Sequence, residues 1–268
     1  MRVHLNGDPS AQQFADNRLQ LGNGAITPDT QDGCIEMQSI GRIVKIQQEL
    51  KEAVFPNVAQ QFIDHSWLCQ KAILAPRNED VSILNKKLLQ KLPGSVQVYK
   101  SIDTTCDINE AVHYPTEFLN TLEPSGVPSH TSKLKIGAPI ILLRNLHPPS
   151  LCSGTRLCIK KLMPNVVEAT IMIGHAAGED VFIPIIPIIL SDFPFQFKRL
   201  QFPVRLSFAM SINKTPGQSL KVVGLDLLKP CFSHNQPYVG SSRVGKAVNL
   251  YILAPNGRAA NIVYPEAL

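Results

Sequence analysis

The chain has 268 residues, of which 44% are hydrophobic, enough to bury the core of one large or two ordinary domains. Its Lys and Arg residues number 26 against 21 Asp and Glu, a net charge of +5 that permits binding to a polyanion without requiring it. The six cysteines form no C-x-x-C pair and have no histidines at zinc-finger spacing, which excludes a zinc finger and indicates reduced thiols in an intracellular protein.

The start of the chain and its most apolar segment argue against secretion and membrane insertion. Residues 1–4 run directly into polar sequence and do not form a signal peptide. Residues 181–190 are the most apolar run, but they have about half the length of a membrane span and are interrupted by Pro184 and Pro187. We therefore predict no membrane partner.

The N-terminal residues have the composition of a connector. They are polar, with glycine and proline breakers and one short helical segment at residues 11–21. We interpret residues 1–45 as a connector that lies outside the main folded domains.

An α/β pattern begins with the apolar run at residues 72–75, which predicts a strand ending before Pro76. A helix with an apolar face follows, and Asn78 stands where a capping residue would lie. The next segment, residues 96–99, is typical of a strand, and we assign it to the same parallel sheet.

The pattern changes after about residue 115 to short apolar runs separated by turn residues, which is typical of a small β-barrel or sandwich. Buried-strand patterns of the α/β type return at residues 222–227 and 248–253. We therefore predict an α/β domain at residues 46–115 and 196–268, interrupted by a β insertion at residues 116–195.

Complete catalytic motifs are absent from the sequence. A motor that hydrolyses a nucleoside triphosphate needs a phosphate-binding loop G-x-x-x-x-G-K-[ST] and acidic residues for magnesium, and neither pattern occurs. The patterns G-x-S-x-G, H-E-x-x-H and G-x-G-x-x-G are absent too. We therefore expect no ATP hydrolysis by these residues alone.

Two later segments carry residue types suited to phosphate groups. Residues 208–220 place Lys214 before Gly217 and Gln218. A lysine supplies a point charge for a phosphate, and a glycine lets the backbone N–H approach an anion. Residues 238–244 contain Arg243, whose guanidinium can neutralise developing charge without losing its proton.

In order and content, these segments and residues 73–85 resemble motifs V, VI and IV of superfamily 1B helicases, in particular the Pif1-like helicases and their relatives in Helitron transposons. The resemblance covers about residues 72–253 and includes a segment from residue 117 that is similar to the SH3-like insertion of these helicases. It implies a RecA-like α/β domain with a parallel sheet and an inserted SH3-like β domain. Residues 1–2 are similar to the end of motif III, so we expect that a first motor domain is missing from the chain.

The resemblance also implies roles for individual residues. Single-stranded DNA would contact Ser211, Asn213, Lys214, Asn78, Arg144 and Arg156. ATP would contact Gly217, Gln218, Ser219 and Arg243, with Arg243 as the catalytic arginine finger at the γ-phosphate. For Arg144 and Arg156, ion pairs with acids of the insertion such as Glu117 and Glu123 are an equally supported interpretation.

The resulting hypothesis is the C-terminal motor domain of an ATP-dependent 5′–3′ DNA helicase, located in the nucleus and associated with DNA repair, recombination and telomere maintenance. Its partners would be single-stranded DNA and a missing N-terminal helicase half, and ATP and Mg²⁺ would bind only when that first motor domain is present. A non-catalytic single-stranded DNA-binding module and an inert transposon-derived remnant remain as alternatives. Pro216, Pro237 and Gly240 depart from the family pattern and favour reduced activity.

Overall fold

The computed structural model describes residues 9–107, 112–124, 126–190, 195–214, 219–264 and 266. The chain divides into two compact units, Met1–Leu88 with Phe208–Leu268 and, inserted between these segments in the sequence, Leu89–Ser207.

A parallel sheet forms the centre of the first unit. Its strands are β2 (Arg42–Val44), β3 (Lys71–Ala75), β14 (Ala209–Ser211), β15 (Val222–Asp226) and β16 (Leu250–Leu253). Their order is β14-β3-β15-β16-β2, and every neighbouring pair is parallel. In β3 and β15 all residues but the first are buried, as expected of parallel strands covered on both faces. The predicted strands at residues 72–75 and 222–227 are thus confirmed.

The helices of this unit are α1 (Pro9–Gly22), α2 (Gln47–Val54), α3 (Val58–Gln61), α4 (His65–Cys69), α5 (Asn78–Lys91, which begins in this unit) and α7 (Gln236–Ser241). α2 packs closely on β15 because Gly224 has no side chain. A Cβ atom there would lie 2.8 Å from Val54 Cγ2 and 2.9 Å from Leu50 Cδ1. The sheet and this helix therefore approach each other through a glycine in the middle of a central strand.

The N-terminal segment differs from the predicted connector. The predicted helix at residues 11–21 is present as α1, and its residues Phe14 and Leu21 are buried. β1 (Cys34–Glu36) pairs with the C-terminal strand β17 (Arg258–Ala260), and β2 extends the parallel sheet. The described residues before position 46 are therefore part of the first unit.

In its described residues, the second unit is built from antiparallel strands and one short helix, α6 (Thr116–Thr121). The strands are β4 (Gln97–Lys100), β5 (Ile102–Thr105), β6 (Thr131–Leu134), β7 (Pro139–Leu142), β8 (Arg156–Leu162), β9 (Val166–Ile171), β10 (Asp180–Pro184), β11 (Ile186–Leu190), β12 (Phe197–Gln201) and β13 (Val204–Leu206). They form three sheets, with the orders β10-β9-β8-β7-β13, β11-β12-β5 and β4-β6. The apolar run at residues 181–190 divides between β10 and β11, which belong to different sheets.

The second unit is wider than the predicted insertion at residues 116–195. β4 pairs with β6 and β5 pairs with β12, so strands on both sides of those boundaries belong to this unit. The assignment of residues 96–99 to the parallel sheet is wrong. Tyr99 is the one buried residue of β4, unlike the nearly continuous burial of β3 and β15 in the parallel sheet. Among the described residues, no helix is long and apolar enough to cross a membrane.

Candidate DNA and nucleotide site

The segment that resembles motif V contains β14 and the turn at its carboxyl end. Ser211 is the last residue of β14 and is partly buried. The next residue, Ile212, is fully buried and anchors a 3-10 turn, Ile212–Lys214, in which Asn213 is exposed. Ser211 and Asn213 therefore lie at the carboxyl edge of the parallel sheet, the edge where open α/β folds bind ligands.

The motif V-like and motif VI-like segments lie side by side. Gly217, Gln218 and the side chain of Lys214 lie outside the described residues. Ser219 is described and is exposed. The following residue, Leu220, donates its backbone N–H to the Arg243 carbonyl at 2.9 Å. This hydrogen bond joins the two segments whose proximity the resemblance implies.

Arg243 lies in the turn that follows α7. Its Nε donates to the Val239 carbonyl at 2.9 Å, which holds the side chain against its own helix. Burial lowers the pKa of the Arg243 guanidinium, an effect that Tyr238 partly offsets. A guanidinium with reduced hydration interacts more strongly with a phosphate than one in bulk water, so this position suits an arginine that senses a nucleotide.

Gln236 connects the loop after β15 with the motif V-like turn. It is fully buried, and its Oε1 accepts the backbone N–H groups of Phe232 at 2.9 Å and Ser233 at 3.3 Å. Its Nε2 donates to Asn213 Oδ1 at 3.5 Å. One buried carboxamide therefore fixes the loop residues 232–233 relative to Asn213.

α5 holds β14 through Asn85, which lies in the motif IV-like segment. Asn85 Nδ2 donates to the Ala209 carbonyl and its Oδ1 accepts the Ala209 N–H, both at 2.9 Å. Asn78, the predicted cap and DNA contact, is exposed, but α5 begins at this residue, and the Arg77 carbonyl accepts the Val81 N–H. The residue before the first turn is therefore Arg77, and the predicted capping role of Asn78 is corrected.

Arg18 is a residue that the sequence analysis missed. It lies on α1 and is buried, and its Nη1 donates to the Val244 carbonyl at 3.1 Å, next to Arg243. Its guanidinium carbon lies 4.5 Å from the centre of the Phe14 ring, a cation–π contact. The available signal was its position on the helix face of Phe14 and Leu21, where a polar residue would not be expected.

The two arginines predicted to contact DNA from the second unit differ in exposure. Arg144 is partly buried, and its Nη1 donates to the Gly126 and Leu143 carbonyls at 3.1 Å and 3.2 Å. Arg156 is fully buried, and its Nη2 donates to the Ser207 carbonyl at 3.3 Å. Because a side chain without solvent exposure cannot reach a phosphate, we remove Arg156 from the candidate DNA contacts and assign it to the core.

One segment imitates the spacing of a phosphate-binding loop. Residues 240–246 fit G-x-x-x-x-G-K, followed by Ala247 in place of a serine or threonine. A phosphate-binding loop runs from a strand into a helix, whereas Gly240 lies inside α7 and Ala247 begins a 3-10 turn before β16. The match is therefore in spacing only. In the described part of the chain, no group of three His, Cys, Asp or Glu residues could hold a metal ion.

The parallel sheet of the first unit, with Ser211, Asn213 and Arg243 gathered beside it, defines an α/β protein with a RecA-like domain and an additional β-rich unit. The model of the family described as DNA helicase Pif1, 2B domain, matches residues 117–162. The ATP-dependent DNA helicase PIF1 of Homo sapiens is 28% identical over 189 residues, covering 67% of this chain and 26% of the relative. The corresponding protein of Rattus norvegicus is 29% identical, covering 67% and 27%.

A solved structure has the same fold. The crystal structure of the Bacteroides Pif1 helicase in complex with ADP-AlF3 and single-stranded DNA matches with a TM-score of 0.59 and 16% identity, covering 92% of this chain and 49% of that one. These comparisons confirm the RecA-like α/β fold and relate the chain to the C-terminal part of Pif1-like helicases. The chain spans about a quarter of the length of the curated relatives it matches.

Proposed function

We propose that this chain provides the second motor domain, with its SH3-like insertion, of an ATP-dependent 5′–3′ DNA helicase of the Pif1 type. The first unit would be the motor domain and the second unit the insertion. The observation that carries the proposal is the hydrogen bond from the Leu220 N–H to the Arg243 carbonyl, because it joins residues suited to DNA phosphates to an arginine suited to a nucleotide.

In this proposal, single-stranded DNA passes along the carboxyl edge of β14. The Ser211 hydroxyl and the Asn213 carboxamide would donate to phosphate oxygens, and Lys214 would supply a positive charge. Ile212 supports this arrangement because its burial keeps the turn in place. Asn78 and Arg144 remain proposed contacts of single-stranded DNA.

ATP would bind where this chain meets a first motor domain, and its hydrolysis would supply the free energy for translocation. On this chain, Gly217, Gln218 and Ser219 would approach the nucleotide, and Arg243 would lie at the γ-phosphate. Mg²⁺ would be held by that first motor domain. We propose that a partner, an N-terminal helicase half, supplies this domain.

The DNA-binding part can be tested by fluorescence anisotropy of a labelled oligo-dT at several salt concentrations. Lys214→Ala should weaken binding and flatten the slope of log affinity against log salt by about 0.7, the value for one phosphate contact on a single strand. Arg243→Ala should change both quantities little, and Lys161→Ala is the matched control for an exposed lysine of the second unit. Equal effects of the Lys214 and Arg243 substitutions would contradict the assigned roles.

A non-catalytic single-stranded DNA-binding module is the second candidate. The observation that favours it is that no phosphate-binding loop occurs within these 268 residues. In both cases the purified chain should show no DNA-stimulated phosphate release. A fusion that places the first motor domain of a Pif1 relative before this chain separates the candidates. DNA-stimulated hydrolysis that Arg243→Ala abolishes would support the motor domain, whereas DNA binding without hydrolysis would support the module. A chain that binds no DNA at low salt would match the inert remnant and contradict both.

A further inference from the structure

Phe232 is an exposed aromatic residue in the loop between β15 and α7. Its exposed fraction is 56%, and it follows the buried residue Cys231. Single exposed apolar residues are common on protein surfaces, so exposure alone assigns no role to Phe232. The contacts of its backbone distinguish it.

The loop that carries Phe232 is fixed beside the proposed DNA contacts. The Phe232 N–H donates to Gln236 Oε1 at 2.9 Å, and the other end of the same carboxamide donates to Asn213 Oδ1 at 3.5 Å. Gln236 is fully buried, and both of these hydrogen bonds are partly buried. The backbone of Phe232 is therefore connected to Asn213 through one carboxamide.

The neighbouring ring in this loop is already covered. His234 stacks on Tyr264 with 5.5 Å between ring centroids and 13° between planes, and its Nδ1 accepts the Tyr264 N–H. Leu228 is exposed in the same loop but offers no aromatic face. Among the described residues 227–235, Phe232 therefore presents the aromatic ring that a base could cover.

We propose that Phe232 stacks on a base of the single strand whose phosphates contact Ser211 and Asn213. This inference rests on the proposed function and adds a base-binding element to a site otherwise made of phosphate contacts. Stacking tolerates every base because each has an aromatic face, so the element would add affinity without sequence preference. Because the backbone of this residue is connected to Asn213 through one carboxamide, the stacked base would also be restricted in position relative to the bound phosphate.

The test is fluorescence anisotropy of labelled oligo-dT with wild type, Phe232→Ala, Phe232→Leu and Phe232→Trp. Loss of one stacked base should weaken binding about 5- to 150-fold in the alanine variant. The leucine variant should lose most of the affinity that stacking contributes, because it keeps apolar area but not the aromatic face. The tryptophan variant should retain this affinity. Phe182→Ala, at a phenylalanine of the second unit with 63% exposure, is the control and should bind like wild type.

Two further measurements separate stacking from other effects. The salt slope should be unchanged in Phe232→Ala, in contrast to Lys214→Ala, because no phosphate contact is lost. An oligonucleotide of abasic sites should bind wild type and Phe232→Ala equally. If wild type binds oligo-dT and Phe232→Ala binds as tightly, the stacking role is wrong while the proposed function stands. If wild type binds no single-stranded DNA, both are wrong.

Discussion

The guanidinium of Arg199 and the carboxylate of Asp103 form a two-pronged ion pair, with 2.9 Å from Nε to Oδ1 and 2.7 Å from Nη2 to Oδ2, and neither side chain is exposed to solvent. The two residues are also direct backbone partners on β12 and β5. The remaining donors of Arg199 reach carbonyl groups of the segment that includes α6 and the loop after it: Leu119, Leu122 and Pro128. One buried arginine thus joins two strands and a helix of the second unit.

The first prediction concerns this ion pair. Arg199→Met should lower the free energy of unfolding by about 3–5 kcal/mol, because the Asp103 carboxylate would stay buried without its partner. The double substitution with Asp103→Leu should cost less than the sum of the single losses. Urea denaturation followed by circular dichroism measures these values, and Lys198→Met, at the exposed neighbour, is the control. A loss for Arg199→Met as small as that of the control would show that the pair is not needed.

The second prediction concerns the contact between Gly224 and α2. Gly224→Ala should cost about 1–3 kcal/mol, because the new methyl group would overlap Val54 and Leu50 in a packed core. Adding Val54→Ala removes one of these contacts, so the double variant should lose less than the sum of the single losses. Gly245→Ala is the matched control, since no atom lies within 4 Å of the position that its new methyl group would take. Thermal unfolding measures all four variants against wild type, and additive losses would contradict direct overlap.

The sequence was sufficient to predict the central parallel strands but not the edges of the sheet. β3 and β15 are continuous apolar runs because both of their faces are covered. β2 and β14 have three residues each, too few to show a period, and the sequence analysis did not assign them as strands. Strand β4 was placed in the wrong sheet because local residue preference does not identify the partner of a strand.

The residues of the candidate site could be predicted where they belong to a short sequence motif. The resemblance brought Ser211, Asn213 and Arg243 together, and the structure connects their segments through hydrogen bonds. The contributions of Arg18 and Gln236 could not be predicted, because each depends on a contact between elements far apart in the chain. The complete burial of Arg199 could not be predicted either, since arginines are seldom fully buried and only the opposing Asp103 explains its position.

The third prediction concerns Arg18 and the turn that carries Arg243. Arg18→Met keeps much of the side-chain volume but leaves the buried Val244 carbonyl without its donor, so the free energy of unfolding should fall by about 1–3 kcal/mol. The turn should also change locally. In a ¹⁵N-labelled chain, the Nε–Hε resonance of Arg243, assigned by its loss in Arg243→Lys, should shift in Arg18→Met. Arg77→Met, at an exposed arginine, should leave the resonance in place. If Arg18→Met leaves this resonance unchanged, Arg18 does not influence the turn that carries Arg243.

The fourth prediction concerns Asp226, at the carboxyl end of β15. Its Oδ2 accepts Gln47 Nε2 at 2.9 Å and its Oδ1 accepts the Leu228 N–H at 3.3 Å, while Lys87 Nζ donates to Gln47 Oε1 at 2.6 Å. Burial raises the pKa of Asp226 above its ordinary value of 3.8, and the hydrogen bonds from Gln47 and Leu228 oppose this only in part. The folded state therefore binds this proton more tightly than the unfolded state does.

The sign of the pH effect follows from this shift. A raised pKa in the folded state contributes stability that is complete below the unfolded pKa and is lost as the pH rises through the folded pKa. Asparagine does not titrate, so the stability of wild type relative to Asp226→Asn should fall as the pH rises from the unfolded pKa of this group through its raised folded pKa, by about 1.4 kcal/mol for each unit of pKa difference. Asp64 provides a control of opposite sign, because hydrogen bonds from Ser66 and Trp67 lower its pKa. The stability of wild type relative to Asp64→Asn should increase as the pH rises through the unfolded pKa of this group. Urea denaturation at constant ionic strength measures both differences, and a rising trend for Asp226→Asn would show that its hydrogen bonds outweigh its burial.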